Sequence, residues 1–138
     1  MQVREIEMQS KQLSDTAVVF TPKQRCDVWP VSPELYAQID QHYSGFGQHV
    51  LVSMHSFTQD WSTWEIHPHG DELVCLVQGA AEFVLKTEQG EDCVALSKPG
   101  SYVVVPANTW HTAKVDESAT CLFFTPGEGT ENSDSPPE

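Results

Sequence analysis

From Gly47 to Pro126 the chain alternates short apolar runs with Gly, Pro and polar clusters, and this rhythm limits the fold more than any other feature. The runs fall at residues 49–57, 62–67, 72–78, 81–87, 93–96, 102–105, 110–115 and 120–125. Each is too short for a stable helix and suits a strand, and many short strands at regular spacing argue a sandwich or barrel. Residues 17–20 and 28–31 add two extended pieces upstream. Between them and Gly47, Ser32-Pro33-Glu34 reads as a helix start, with Ser as N-cap and Pro in the first turn. Leu35, Ile39 and Tyr43 then give one apolar stripe that stops at Gly45. So short a helix needs packing on the strands to persist.

One domain with one core fits 138 residues. Residues 1–16 read as an N-terminal arm and 17–126 as the folded domain. From 127 to 138 the composition turns to Gly, Pro, Ser and acids, which predicts an acidic, disordered tail. No apolar run approaches the ~20 residues of a membrane span, and the first twelve residues are too polar for a signal peptide, so a cytoplasmic protein is expected. Cys75, Cys93 and Cys121 lie in strand-like runs without a C-x-x-C pair and read as core packing. The formal charge is −13, from 20 acidic and 7 basic side chains. That balance opposes nucleic acid and anionic lipid, and disfavours a strongly anionic ligand.

The chemistry concentrates in Trp64-Glu65-Ile66-His67-Pro68-His69-Gly70-Asp71-Glu72. On an extended strand His67 and His69 share a face, and the Pro-Gly turn brings Glu72 back toward them. His111, in Val105-Pro106-Ala107-Asn108-Thr109-Trp110-His111, is the candidate from elsewhere in the chain. Three imidazoles and a carboxylate suit one divalent Fe, Mn, Zn or Ni ion and leave positions open for water or a ligand. The opposing reading makes the histidines hydrogen-bonded strand-end residues, with Asp71 or Glu72 capping the turn. His55 reads either as support for a ligand or as a packed histidine. Trp61, Trp64 and Trp110 crowd the same region as pocket wall or as core.

These residues resemble the two motifs of the cupin superfamily. His67, His69, Glu72 and Gly79 are similar to its first motif, a Gly, His-x-His, three or four residues, Glu, six residues and Gly. Trp61 stands at the leading Gly, and two residues separate His69 from Glu72. Gly100, Pro106 and His111 are similar to the second motif, with Asn108 for its middle Gly and Val115 for its final Asn. The resemblance covers about residues 49–125 and implies an all-β, single-domain jelly-roll barrel with the short N-terminal helix packed outside. It implies metal ligation by His67, His69, Glu72 and His111, a small-molecule ligand and a homodimer. Three functions stay open at this point: a metal-dependent enzyme (oxygenase, isomerase or lyase) on a small, partly apolar molecule; a non-catalytic binding or sensor protein; and a structural domain with an empty site.

Overall fold

The run from Glu72 buries every second side chain: Glu72, Val74 and Leu76 are almost fully enclosed while Leu73 and Cys75 are half-buried. That period of two makes it a strand with one face on a core. The structure, a computed structural model, describes residues 8–135. Its order is β1 (Thr16–Phe20), β2 (Cys26–Pro30), α1 (Leu35–His42), β3 (Val50–Phe57), β4 (Trp64–Ile66), β5 (Glu72–Gly79), β6 (Ala81–Thr87), β7 (Gly90–Leu96), β8 (Tyr102–Val105), β9 (His111–Lys114), β10 (Ala119–Thr125) and β11 (Glu131–Ser133).

The strands form two antiparallel sheets. One has six strands in the order β2-β1-β3-β10-β5-β8, the other five in the order β11-β4-β9-β6-β7. Phe83, Leu85, Leu96 and Ala113 of the second sheet meet Val74, Leu76, Val103, Cys121 and Phe123 of the first in one core. Trp61 packs on it, edge-to-face with Phe83 and tilted against Phe123. Gly79 turns β5 into β6 at φ +82°, with a Cβ there only 2.2 Å from the Ser118 carbonyl oxygen, so no larger residue fits.

Several expectations are corrected. The helix does not pack outside. Its Leu35 and Ile39 cluster with Ala17, Val19 and Leu51. Paired residues share a face: Val19 opposes Leu51, Leu51 opposes Thr125, and Phe123 opposes Ser53. The helix therefore lies on the inner face of the six-stranded sheet, the side that carries the core. Its start is also later, because Ser32 makes a turn first, its carbonyl accepting from the Leu35 N–H at 3.1 Å. Cys93 is exposed, while Cys121 is buried and Cys75 half-buried. Within the acidic stretch expected to be disordered from 127, β11 is paired to β4, with Glu131 opposite Ile66, Asn132 opposite Glu65 and Ser133 opposite Trp64. Residues 136–138 and residues 1–7 of the arm lie outside the described residues.

The outer face of the six-stranded sheet is apolar in two rows. Val28, Val18, Val52, Phe124, Leu73 and Val104 oppose one another in sequence across all six strands. Met54, Leu122, Cys75 and Tyr102 form a second row beside it.

Candidate metal centre

His67 and His111 come from neighbouring strands of the five-stranded sheet. Glu65 on β4 opposes His111 on β9, so both side chains leave the same face, and His67, two residues on, rejoins it just beyond the strand end. Glu72 approaches from β5 of the other sheet. The ends converge: His111 Nε2 is 3.1 Å from Glu72 Oε1, His67 Nε2 is 3.5 Å from Glu72 Oε2, and His67 Nε2 is 3.7 Å from Glu65 Oε1. Glu65, His67 and His111 each offer a ligand atom, and the three atoms lie within 4.8 Å of one another.

The partners behind these atoms fix which nitrogen carries hydrogen. His111 Nδ1 lies 3.1 Å from the Thr109 carbonyl oxygen, which only accepts, so Nδ1 is protonated. Thr130 Oγ1 donates to the Gly127 carbonyl oxygen at 3.0 Å. With its hydrogen directed there, it accepts at 2.8 Å from His67 Nδ1–H. In the neutral rings both Nε2 atoms then present lone pairs inward. Thr125 donates to Glu72 Oε2 at 2.6 Å. What is left is instructive: His67 Nε2, His111 Nε2 and Glu72 Oε1 are buried and make no aligned hydrogen bond. Leaving such atoms unsatisfied costs about 1–3 kcal/mol each. Two imidazole nitrogens and one carboxylate oxygen, orphaned and convergent, fit a divalent cation.

Electrostatics agree. Burial alone would raise the Glu72 pKa, but the His111 and His67 rings that face its carboxylate, when protonated, more than offset it, pulling it down to about 2. Burial works to lower the pKa of His111, yet Glu72 beside it raises it overall. Glu65 is raised, first by burial and further by Glu72, with His67 acting the other way.

The two motif loops lock together. Asn108, at φ +61°, donates its N–H to the His67 carbonyl at 2.9 Å. Asp71 Oδ1 accepts from the Ala107 N–H at 2.8 Å, so Asp71 does the capping and Glu72 is free to face inward.

His69 is the expected ligand that the structure places elsewhere. It is exposed, and its ring faces Gly129, where a Cβ would stand 3.5 Å from Nε2. The parity argument fails because β4 ends at Ile66 and Pro68 to Gly70 form a turn, so residues 67 and 69 are not on one strand. Glu65 is the residue that sequence reasoning missed. A signal existed: with Glu65-Ile66-His67 as the paired positions, four residues separate His67 from Glu72 and six separate Glu72 from Gly79.

A cavity of about 830 Å³ opens beside these atoms. Tyr36, His55, Phe57, Trp61 and Phe123 line it, with Asp40 as a further acid, and among the described residues no Lys or Arg lines it. Tyr36 Oη lies 3.5 Å from His55 Nε2. Burial and the Glu65 and Glu72 charges raise the Tyr36 pKa, and burial keeps that of His55 low despite Glu72.

No protein-family model matches the sequence, and no curated protein matches it. Solved structures that it is similar to include a cupin-2 domain containing protein from Shewanella frigidimarina, at 16% identity over 56% of this chain and 70% of that one, TM-score 0.48. Hydroquinone 1,2-dioxygenase from Sphingomonas is 14% identical over 55% of this chain and 58% of its own, TM-score 0.47. Bacillus subtilis oxalate decarboxylase, a protein with Mn(II) centres, is 13% identical over 61% of this chain and 23% of its own, TM-score 0.49.

Proposed function

We propose that this chain is a cupin with a jelly-roll arrangement of its two sheets, and that it holds one divalent Fe, Mn, Zn or Ni ion through Glu65, His67, Glu72 and His111. The observation that carries the reading is the trio of buried, unpartnered atoms, His67 Nε2, His111 Nε2 and Glu72 Oε1. We read it as a metal-dependent enzyme acting on a small, partly apolar molecule, with oxygenase, isomerase and lyase chemistry all within reach of such a centre. A bound metal would supply Lewis acidity toward a carbonyl or similar group of that molecule.

The chain's own residues select the ligand and position it. Phe57, Trp61 and Phe123 offer apolar walls, and Tyr36 and His55 offer a hydroxyl and an imidazole at the same cavity. Two carboxylates neutralise a divalent ion, and Asp40 leaves the lining negative, with no Lys or Arg among the described residues to answer it. An uncharged or cationic ligand therefore fits better than an anion. The apolar outer face of the six-stranded sheet, with Val28, Val104 and Tyr102 at 39%, 46% and 63% exposure, is proposed as a homodimer surface.

The test loads the purified protein with Co(II) and follows its visible absorption while benzyl alcohol, benzylamine and benzoate are added. The reading expects bands of a protein-bound ion, perturbed by the alcohol or the amine at lower concentration than by benzoate. Absence of protein-dependent bands would refute the metal centre. Preferential perturbation by benzoate would refute the ligand class.

A further inference from the structure

We propose that Thr130 is a positioning residue for His67, and that the C-terminal strap from Pro126 to Ser133 is a working wall of the metal centre. This rests on the metal reading above.

Nothing in the composition of the strap suggests a role, but its placement does. Pro126 packs on the turn that follows His67, where a Cβ on Gly70 would come within 2.7 Å of Pro126 Cβ. Gly129 takes φ +71° and lies against Pro68 and His69. These contacts deliver Thr130 to the back of the His67 ring. There it donates to the Gly127 carbonyl at 3.0 Å and accepts from His67 Nδ1 at 2.8 Å. With the Thr130 hydroxyl hydrogen on the Gly127 carbonyl, the His67 proton sits on Nδ1 and Nε2 is bare, facing Glu72. The next residues run along β4, and Asn132, directly opposite Glu65, shares its face. The strap thus covers the edge of the strand that carries Glu65 and orients His67 just beyond its end. A hydrogen bond behind a ligating imidazole sets its tautomer, its ring orientation and its basicity.

The experiment compares wild type with Thr130→Val, which keeps the shape and loses the hydroxyl, and Thr130→Ser, which keeps the hydroxyl. Zn(II) affinity is measured by competition with a chromophoric chelator. The His67 tautomer is read from imidazole ¹⁵N shifts in metal-free protein, with melting of the metal-free forms as the control. Thr130→Val is expected to weaken Zn(II) binding about 10–100-fold and to give a mixture of His67 tautomers. Thr130→Ser is expected to behave as wild type in both. Wild-type affinity in Thr130→Val, or a loss in Thr130→Ser equal to that in Thr130→Val, would overturn the proposal. So would an Nε2–H tautomer in wild type, a readout that needs no variant to fold. If wild type binds no Zn(II), the metal reading fails, and the tautomer comparison still decides what Thr130 does.

Discussion

Glu72 and His111 meet across the gap between the two sheets, Oε1 of the one 3.1 Å from Nε2 of the other. Each belongs to a different sheet, so their attraction also ties the sheets together in the metal-free protein. The sign follows from the two pKa shifts. Glu72 falls from 4.5 to about 2, so its contribution is present above pH 4.5 and is lost as pH falls toward 2. His111 rises from 6.5, so its contribution is complete below 6.5 and is lost as pH climbs through its raised value. The Glu72 shift also includes His67, and the part it shares with the His111 shift is one interaction, counted once. Metal-free protein should gain most from the pair between about pH 4.5 and 6.5. Melting curves against pH for wild type and Glu72→Gln should differ most in that window and converge toward pH 2. A constant difference across the range would contradict the pairing.

Glu65, and not His69, should matter to the metal. Glu65→Gln is expected to weaken metal binding at least about tenfold, and His69→Ala to leave it within about threefold. Equilibrium titration of both variants checks this. The opposite order would restore the His-x-His ligand pair that the sequence suggested.

Removal of the strap should be felt as lost stability. Ending the chain after Pro126 deletes β11, uncovers the edge of β4 and removes Gly127 from Phe46. The melting temperature should drop by about 5 °C or more, and metal affinity should drop with it. A truncated protein that melts within about 1 °C of wild type would show that the strap contributes little.

Most of the sheet framework was legible in the sequence because short apolar runs are set apart by Gly, Pro and polar clusters. The runs containing Leu51 and Ser53, Val74 and Leu76, and Phe83 and Leu85 all became strands, with Gly79 and Gly90 at turns between them. What was not legible depends on pairing rather than pattern. Glu131 to Ser133 carries no apolar alternation and is a strand only because β4 offers an edge to bond. The helix stripe of Leu35 and Ile39 was visible, but no local signal says which face of a sheet it will meet. At the candidate site, residue type and spacing pointed to His67, Glu72 and His111, and the fold brings these three side chains together. Glu65 was hidden because two histidines drew attention two residues too far along, past the end of the strand where parity still holds.

The outer face of the six-stranded sheet should associate. Val104→Lys, at the exposed end of the apolar row, is expected to convert a dimer into a monomer with little change to the metal site on the opposite face. Light scattering of both proteins at micromolar concentration reports the masses. A monomeric wild type would reject the dimer surface.

The central claim is a metal ion held between the two sheets, and elemental analysis of protein prepared under metal-replete conditions tests it most directly. Wild type should carry about one Fe, Mn, Zn or Ni per chain. His111→Ala, folded as judged by its spectrum, should carry almost none, because it removes an enclosed nitrogen that faces only the Glu72 carboxylate and makes no hydrogen bond. Wild type without stoichiometric metal, or a His111→Ala variant with as much as wild type, would contradict the account.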